Sequence, residues 1–308
     1  MPQVSVIIVN YFSTSFLDKC LETLIQFTKS VSYEIIVIDN GSDGEEVENT
    51  ILKYSEKIKL IKNPHNTGFA AANNQGIKES KGNYILLLNN DTILIEDVIG
   101  KVVEYSKGID DAAIIGCKLL NSDMSNQISI VDFDNVTNMF GESFFLYKLF
   151  PRNRRLNKYF LNYPNHSHPV EVEAIKGAFF FIPRKIIDKI GLLDERFHFY
   201  YEETDFCLRY KSTGGKVIYL PDVEIIHVGG GSTSNNLWNM FKNQHTARIL
   251  FFNKHFSGLK YFLMIILHWI GLLLRVPQNI ISGLLKFDKY YFKKAFCYLR
   301  SLFLFPRT

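Results

Sequence analysis

Cysteine is scarce and scattered in this chain of 308 residues: Cys20, Cys117, Cys207 and Cys297 lie far apart and form no CxxC pair. That excludes a zinc ribbon and a disulfide framework, and the expectation is a reducing compartment. Glycine-rich phosphate loops are missing as well. The first apolar run leads into Asn10-Tyr11-Phe12-Ser13 and not into G-x-G-x-x-G, so a dinucleotide-dependent oxidoreductase lacks its pyrophosphate site, although Asp39 ends the second run as a ribose-binding acid would. A nucleotidyltransferase would need a glycine-rich basic loop in the same place. The opening MPQVSVIIVN has no basic segment and only a short apolar run, the pattern of a buried strand and not of a secretory leader, so the body is expected in the cytoplasm. Long apolar runs are absent too. Leu263 to Leu274, between Lys260 and Arg275, is apolar-rich for twelve residues, short of the roughly 20 that cross a bilayer, and predicts interfacial or re-entrant burial.

What is present is an ordinary globular composition, 47% hydrophobic and 14% aromatic with 21% charged residues, which excludes a disordered or collagen-like chain. The length suffices for one large domain or two modest ones. The net charge of +4 hides an asymmetry: from residue 242 to the end, eleven lysines and arginines stand against the single acid Asp288. A mildly acidic body with a basic, aromatic-rich tail points the tail at something anionic.

Val4 to Val9 and Glu34 to Ile38 read as buried strands, with a helix from Ser15 to Phe27 between them. Helices follow at Glu45 to Tyr54 and about Ala70 to Glu79, with strands around Lys59 to Ile61 and at Tyr84 to Leu88. This alternation predicts an α/β fold with a parallel sheet covered on both faces, and ligands then sit at the carboxyl ends of the strands. The strand exits are polar: Asn10-Tyr11, Asp39-Asn40-Gly41-Ser42 and Asn89-Asn90-Asp91-Thr92. Taken singly, each is equally well a turn. Residues 121 to 169 have no clean period and a basic run at Arg152, Arg154, Arg155 and Lys158, and read as a substrate-facing insertion or lid. Glu171 to Ile182 resumes as a strand, Arg184 to Ile190 as a short helix, and Val217 to Leu220 and Val223 to His227 as two further strands.

Asp91, reached through two asparagines, offers hard oxygen ligands suited to Mg²⁺ or Mn²⁺ holding a diphosphate. Glu202, Glu203 and Asp205 put three acids at a helix start, followed by Arg209. They fit either helix-dipole partners or a general base taking a proton from a hydroxyl. His227 leaves a strand before a run of glycines, as a structural residue or a ligand.

Eight segments in this order, VSVIIVNY, VIDNGSDG, NTGFAAANNQGI, LLLNNDT, GAFFFIPR, GLLDERF, YYEETDFCLR and IIHVGGGS, make the chain resemble family 2 glycosyltransferases of the GT-A fold over residues 4 to 232, and most closely a rhamnosyltransferase clade. The resemblance implies a mixed, mostly parallel, Rossmann-like sheet flanked by helices over residues 1–240, with a helical extension over 241–308. It implies an inverting, metal-dependent transferase moving a sugar, rhamnose by the clade, from a dTDP- or UDP-linked donor to a hydroxyl of a lipid-linked cell-surface glycan. Tyr11 and Asp39 match positions that contact the nucleobase and ribose. Asn66, Gly68, Phe69 and Asn74 match the segment lining the nucleotide pocket, and Asn89 and Asn90 belong to the donor side. Asn89 and Asp91 match the ends of the DxD metal motif, and His227 the distal histidine of the metal and diphosphate site. Glu203 matches the catalytic acid, with Glu202 and Asp205 beside it. Phe12 replaces a common asparagine, Asn89 replaces the first metal-motif acid, and no QxxRW segment follows the acids, which argues against the processive synthases.

Projected at about 100° per residue from Leu284, Tyr291, Phe292, Ala295, Phe296, Leu299, Leu302 and Phe303 share one face, with Lys286, Lys289, Lys293 and Arg300 on another and Asp288 misplaced. This predicts a basic helix on an anionic membrane through residues 259–308, holding the protein to the inner face of the cell membrane as a peripheral protein. The alternatives are a helix packed on the body, or a catalytically silent glycan- or membrane-binding module on the same fold. The tail is more apolar than a phosphate-tracking surface needs, so no nucleic-acid partner is expected.

Overall fold

The computed structural model describes residues 1–42, 45–109, 112–159, 162, 166–229 and 236–304. Asp43 and Gly44 of the second strand exit, and Gly230, Gly231 and Ser232 after His227, lie outside the described residues. The chain forms two compact units. The first comprises 1–131, 165–198 and 202–232, and the second 132–164, 199–201 and 233–308. A boundary at 240 was the expectation from sequence. The aperiodic stretch from 132 to 164 groups instead with the C-terminal helices.

In the first unit β1 (Val4–Asn10), α1 (Thr14–Phe27), β2 (Tyr33–Asn40), α2 (Glu45–Lys53), β3 (Ile58–Asn63), α3 (Phe69–Glu79) and β4 (Tyr84–Asn89) follow the predicted alternation. The β-branched runs pair in parallel, Ile7 opposite Ile36 and Leu87. Such strands are buried on both faces, which is why they read as unbroken apolar runs and not as alternating ones. After β5 (Thr92–Leu94), α4 (Val98–Lys107), β6 (Ala113–Leu120) and β7 (Ile130–Val131), the stretch read as one strand over Glu171 to Ile182 is three short ones: β8 (Val170–Glu171), β9 (Ala174–Ile175) and β10 (Phe179–Pro183). Then come α7 (Arg184–Ile190), α8 (Glu202–Lys211) and β11 (Lys216–His227). β11 is one strand where two were expected, because a bulge between Leu220 and Glu224 absorbs Pro221 and lets pairing to β6 resume.

Among the described residues the main sheet has nine strands in the order β3-β2-β1-β4-β10-β6-β11-β5, with β8 on β11. It is mixed: β10 runs antiparallel to both β4 and β6. Phe179 and Phe181 on β10 are fully buried with Leu86, Leu88 and the inward face of α1. The parallel half therefore delivers the ends of β1, β2 and β4 to one edge, and β10 crosses back beside β4.

The second unit holds α5 (Val136–Ser143), α6 (Leu146–Leu149), α9 (Leu237–His255), α10 (Gly258–Lys286) and α11 (Lys289–Ser301). α5 starts with a reciprocal cap between Asn135 and Asn138. A buried ion network ties the unit together. Arg248 of α9 donates to Asp134 at 2.9 and 3.1 Å and to Glu142 at 2.6 and 3.1 Å, while Lys158 reaches Asp134 at 2.9 Å. Lys158, part of the basic run expected to face substrate, is thus an interior counter-ion.

α10 corrects the sequence reading of the tail. The apolar stretch does not stop at Leu274; the helix continues through Arg275 and Pro277 for 29 residues, long and apolar enough to cross a membrane by length and composition. Arg275 does not end it because its guanidinium turns inward, donating to Gly271 O at 2.9 Å and to Glu142 O at 3.2 Å. The second segment does not begin at Leu284 either. Phe287, with φ of 52°, breaks the chain between the helices, and Asp288, the apparent misfit, accepts from Tyr290 N as the N-cap of α11.

Candidate active site

Three strand exits build the site from below. Asn10 is fully buried and its Oδ1 accepts from Asn90 Nδ2 at 2.9 Å, locking the end of β1 to the turn after β4. Asn90 is therefore spent on the scaffold. Asp39 is buried with Oδ1 lacking a partner, and burying an unpaired carboxylate oxygen is costly unless a ligand completes it. Next to it Asn40, missed as a site residue, makes the widest set of bonds. Its Oδ1 accepts from Asn63 Nδ2 at 3.0 Å, Thr67 N at 3.1 Å and Thr67 Oγ1 at 2.9 Å, and its Nδ2 donates to Asn66 Oδ1 at 3.1 Å. The exits of β2 and β3 and the entry to α3 are one hydrogen-bonded unit. Phe12, at φ of 50° and largely exposed, donates its N–H to Ser42 Oγ at 2.9 Å, which places Tyr11 at the same edge.

Gly68 opens α3 at φ of 91°, and a Cβ there would stand 2.6 Å from His198 Nδ1, so only glycine fits. Phe69 N donates to His198 O at 2.7 Å. Asn66 Oδ1 accepts from Gly68 N at 2.9 Å. Asn74, matched by sequence to a pocket lining, is buried with its amide committed elsewhere. Nδ2 donates to Leu193 O and to Glu195 Oε1, both at 2.9 Å, and Oδ1 accepts from Leu193 N at 3.1 Å. It clasps the segment from 191 to 198 against α3.

At the exit of β4, Asp91 Oδ1 lies 3.3 Å from His227 Nε2. Asn89 Nδ2 is 3.4 Å from the same nitrogen, and Asn89 Oδ1 is buried without a partner. The imidazole orientation is set from behind. Gln127 Nε2 donates to Asn121 Oδ1 at 2.9 Å and to His227 O at 3.0 Å, which leaves Oε1 to face His227 Nδ1 at 2.7 Å. With Nδ1 carrying the proton, Nε2 keeps a lone pair that can accept from Asn89 Nδ2 and, with Asp91 Oδ1 alongside, can face a cation. Among the described residues no group of three His, Cys, Asp or Glu side chains is placed to hold a metal. One carboxylate, one imidazole nitrogen and one orphaned amide oxygen nevertheless suit Mg²⁺ or Mn²⁺, which keep waters and take substrate phosphate oxygens for the remainder.

The three acids of α8 part company. Asp205 is fully buried and receives Arg209 Nε at 2.9 Å, while the rest of that guanidinium donates to Ile190 O and Leu192 O, each at 2.7 Å. Asp205 thus helps anchor the turn after α7 and has no exposure from which to meet a substrate. Glu202 is nearly buried and Glu203 partly exposed, each with an unpartnered buried Oε2. Burial pushes the Glu203 carboxyl up against the opposing pull of Lys176. Burial and then the neighbouring Glu203 charge push Glu202 well up. Glu203 packs over Gly177, whose added Cβ would lie 3.7 Å from Glu203 Cβ, and the next residue, Ala178, accepts from Asn89 N at 3.0 Å. A few atoms of chain thus link the acid pair to the metal-motif segment. Lys176 and Gln127 carry no motif signal, and Gln127 stands one hundred residues from its partner, whereas Asn40 lies within the VIDNGSDG segment without being singled out.

Residues 5–190 match the family described as glycosyl transferase family 2. The chain belongs to that family. The poly(ribitol-phosphate) beta-N-acetylglucosaminyltransferase TarP of Staphylococcus aureus is 33% identical over 119 residues, 38% of this chain and 36% of that protein. The dolichyl-phosphate beta-glucosyltransferase ALG5D of Trichomonas vaginalis is 30% identical over 139 residues, 40% of this chain and 41% of that one. Among solved structures, the mannosyltransferase of Pyrobaculum calidifontis in complex with GDP-Man and Mn²⁺ superposes at a TM-score of 0.59 with 14% identity, covering 98% of this chain and 86% of that one. GalNAc-T7 with UDP, GalNAc and Mn²⁺ gives 0.56 and 17%, covering 85% and 53%. The fold of this family 2 member is GT-A, as its motifs implied. The matches to the curated relatives span well under half of those relatives' lengths, from 24% in a protein of Sinorhizobium fredii to 42% in a glycosyltransferase of Haemophilus influenzae.

Proposed function

We propose that this chain is an inverting, metal-dependent glycosyltransferase that takes a sugar from a nucleoside-diphosphate donor and passes it to an acceptor hydroxyl. The observation that carries the reading is the pairing of Asp91 and His227 at 3.3 Å beside the orphaned Asn89 Oδ1. Similarity to structures holding GDP-Man or UDP with Mn²⁺ supports the donor class. Asp39, with its unpaired Oδ1, takes a ribose hydroxyl, and Tyr11 and the Asn66 to Phe69 turn border the base. Asp91 and His227 hold Mg²⁺ or Mn²⁺, with Asn89 contributing its amide oxygen. When bound, the metal supplies Lewis-acid stabilisation of charge on the leaving diphosphate.

Glu203 is the general base, and its raised pKa brings it nearer the working pH. The acceptor O–H proton passes to the Glu203 carboxylate, the oxygen lone pair forms the new bond to the anomeric carbon, and the old bond to oxygen breaks with its electrons left on the diphosphate. Burial and the Glu203 charge hold the Glu202 carboxyl up, and Asp205 stays outside the reaction. Motif resemblance supports rhamnose, a dTDP- or UDP-linked donor and a lipid-linked glycan acceptor. The basic tail supports peripheral attachment to the inner face of the cell membrane through residues 259–308. Proton NMR of the product from an α-linked donor tests the reaction class. The expected product carries the β-anomeric configuration; retention of the donor configuration contradicts single displacement.

A further inference from the structure

α10 is built inside out. Its inward face carries Met264, Leu267, Gly271, Leu272, Asn279 and Gly283, all buried. The polar side chains of the helix gather on this side. His268 Nε2 meets His245 Nδ1 at 2.9 Å, Arg275 reaches Glu142, and Asn279 Nδ2 donates to Arg275 O at 2.8 Å. Projected at about 100° per residue, Leu259, Phe262, Ile266, Leu273, Ile280 and Leu284 fall on the opposite face, and all are exposed. Leu273 is 58% and Leu284 60% exposed. A water-facing stripe is normally polar, and a run of large apolar side chains along a whole helix marks an interaction surface.

α11 continues the pattern. Phe292, Phe296, Leu299 and Phe303 are exposed along one stripe, while Cys297, Ser301 and also Ala295, which the projection puts at the edge of the stripe, are buried. Between the helices the tip exposes Leu285 and Phe287, the latter 96% accessible. Lys289, Lys293 and Arg300 are exposed beside the α11 stripe, and Arg300 sits over the Trp238 ring at 4.0 Å. No acid other than Asp288 lies in this part of the chain.

We infer that the outward face of α10 and α11 lies in the plane of an anionic phospholipid bilayer, with the apolar stripes among the acyl chains and the lysines and Arg300 at the headgroups. This deepens the membrane attachment proposed above and commits it to a geometry. Charge complementarity selects the occupant, since basic residues beside an apolar helix face match an anionic interface. A crossing is disfavoured by the inward face. Ser143 Oγ donates to Leu267 O at 2.6 Å, and Glu142, Arg248 and Asp134 stand behind the helix. If α10 crossed the bilayer, these packed charges would enter it too, at high cost.

The test is flotation of the purified full chain with phosphatidylcholine vesicles containing or lacking phosphatidylglycerol, followed by alkaline carbonate extraction. The expected result is binding to the anionic vesicles, release by carbonate, and loss of binding in Leu284→Asp and Phe296→Asp, whose thermal midpoints stay at the parent value because both sites are exposed. Lys289→Gln and Lys293→Gln weaken binding roughly fivefold each. Carbonate-resistant binding overturns the in-plane geometry and leaves membrane attachment standing. Absence of binding to either vesicle overturns both, and a stable dimer whose interface includes Phe296 assigns the surface to a second copy and overturns the lipid assignment. Donor titration on the same preparation reports separately on the transferase reading.

Discussion

Gln127 Oε1 stands 2.7 Å from His227 Nδ1, and the Gln127 amide nitrogen is fixed by two carbonyl oxygens, so the glutamine holds the imidazole in the tautomer that leaves an Nε2 lone pair for a cation beside Asp91. Partners behind a metal ligand commonly set its affinity by one to two orders of magnitude. Gln127→Leu is expected to weaken Mn²⁺ binding about 10- to 100-fold, read by Mn²⁺ electron paramagnetic resonance in the presence of nucleoside diphosphate. Unchanged Mn²⁺ affinity would separate Gln127 from the site.

Glu203 and Glu202 divide the acid chemistry. Glu203→Gln is expected to lower turnover about 10²- to 10⁴-fold with donor affinity intact. Because the Glu203 carboxyl is raised above its ordinary 4.5, activity of the parent falls with acid through a midpoint above that value, where the base becomes protonated. A pH profile whose acid limb lies at or below 4.5 argues against Glu203 as the base.

Glu202 has the same sign in stability. Its folded pKa is raised well above 4.5, so the folded state binds the proton more tightly than the unfolded one. The Glu202 contribution is most favourable below 4.5 and is lost as pH rises through the folded value. Glu202→Gln is therefore expected to raise the urea midpoint at neutral pH and to leave it unchanged near pH 4. A fall at neutral pH would mean that the ionised carboxylate is stabilised by contacts this account assigns elsewhere.

Arg209 and Arg248 each serve buried acids. Arg209→Leu removes the guanidinium paired with the fully buried Asp205, and Arg248→Met leaves Asp134 with Lys158 and Glu142 with Arg275 but without their shared counter-ion. Breaking a buried pair on one side costs about 3–5 kcal/mol, measured by urea unfolding. Burial opposes ionisation of Asp134 and Glu142, but Arg248 and Lys158 outweigh it and hold both carboxyls below the ordinary range. Their stabilisation is present above the ordinary carboxylate values and lost as pH falls toward the lowered ones. Arg248→Met should accordingly lose much of its deficit in strong acid; a deficit independent of pH would mean packing, not charge, carries the effect.

The parallel half of the fold was legible in the sequence because its strands are buried on both faces and end in Asn and Asp at successive exits. That rule singles out Asp39, Asp91 and His227, and all three stand at or next to strand ends. Asn74 and Asp205 match family motifs, yet the structure spends them on the 191 to 198 segment and on Arg209; a motif records that a residue is needed and not whether it touches a ligand. Gln127 and Asn40 act through partners distant in the chain. α10 was cut short at Arg275 because a charge reads as solvent, whereas Glu142 makes the interior its place.

Calorimetric titration with dTDP, UDP and GDP and their sugars, with Mn²⁺ or with EDTA, on the parent and on Asp91→Ala, tests the central claim. One nucleotide class is expected to bind in the presence of metal, EDTA to abolish the heat, and Asp91→Ala to fold without binding. Binding that survives both EDTA and Asp91→Ala, or no binding of any nucleotide to the parent, would contradict it.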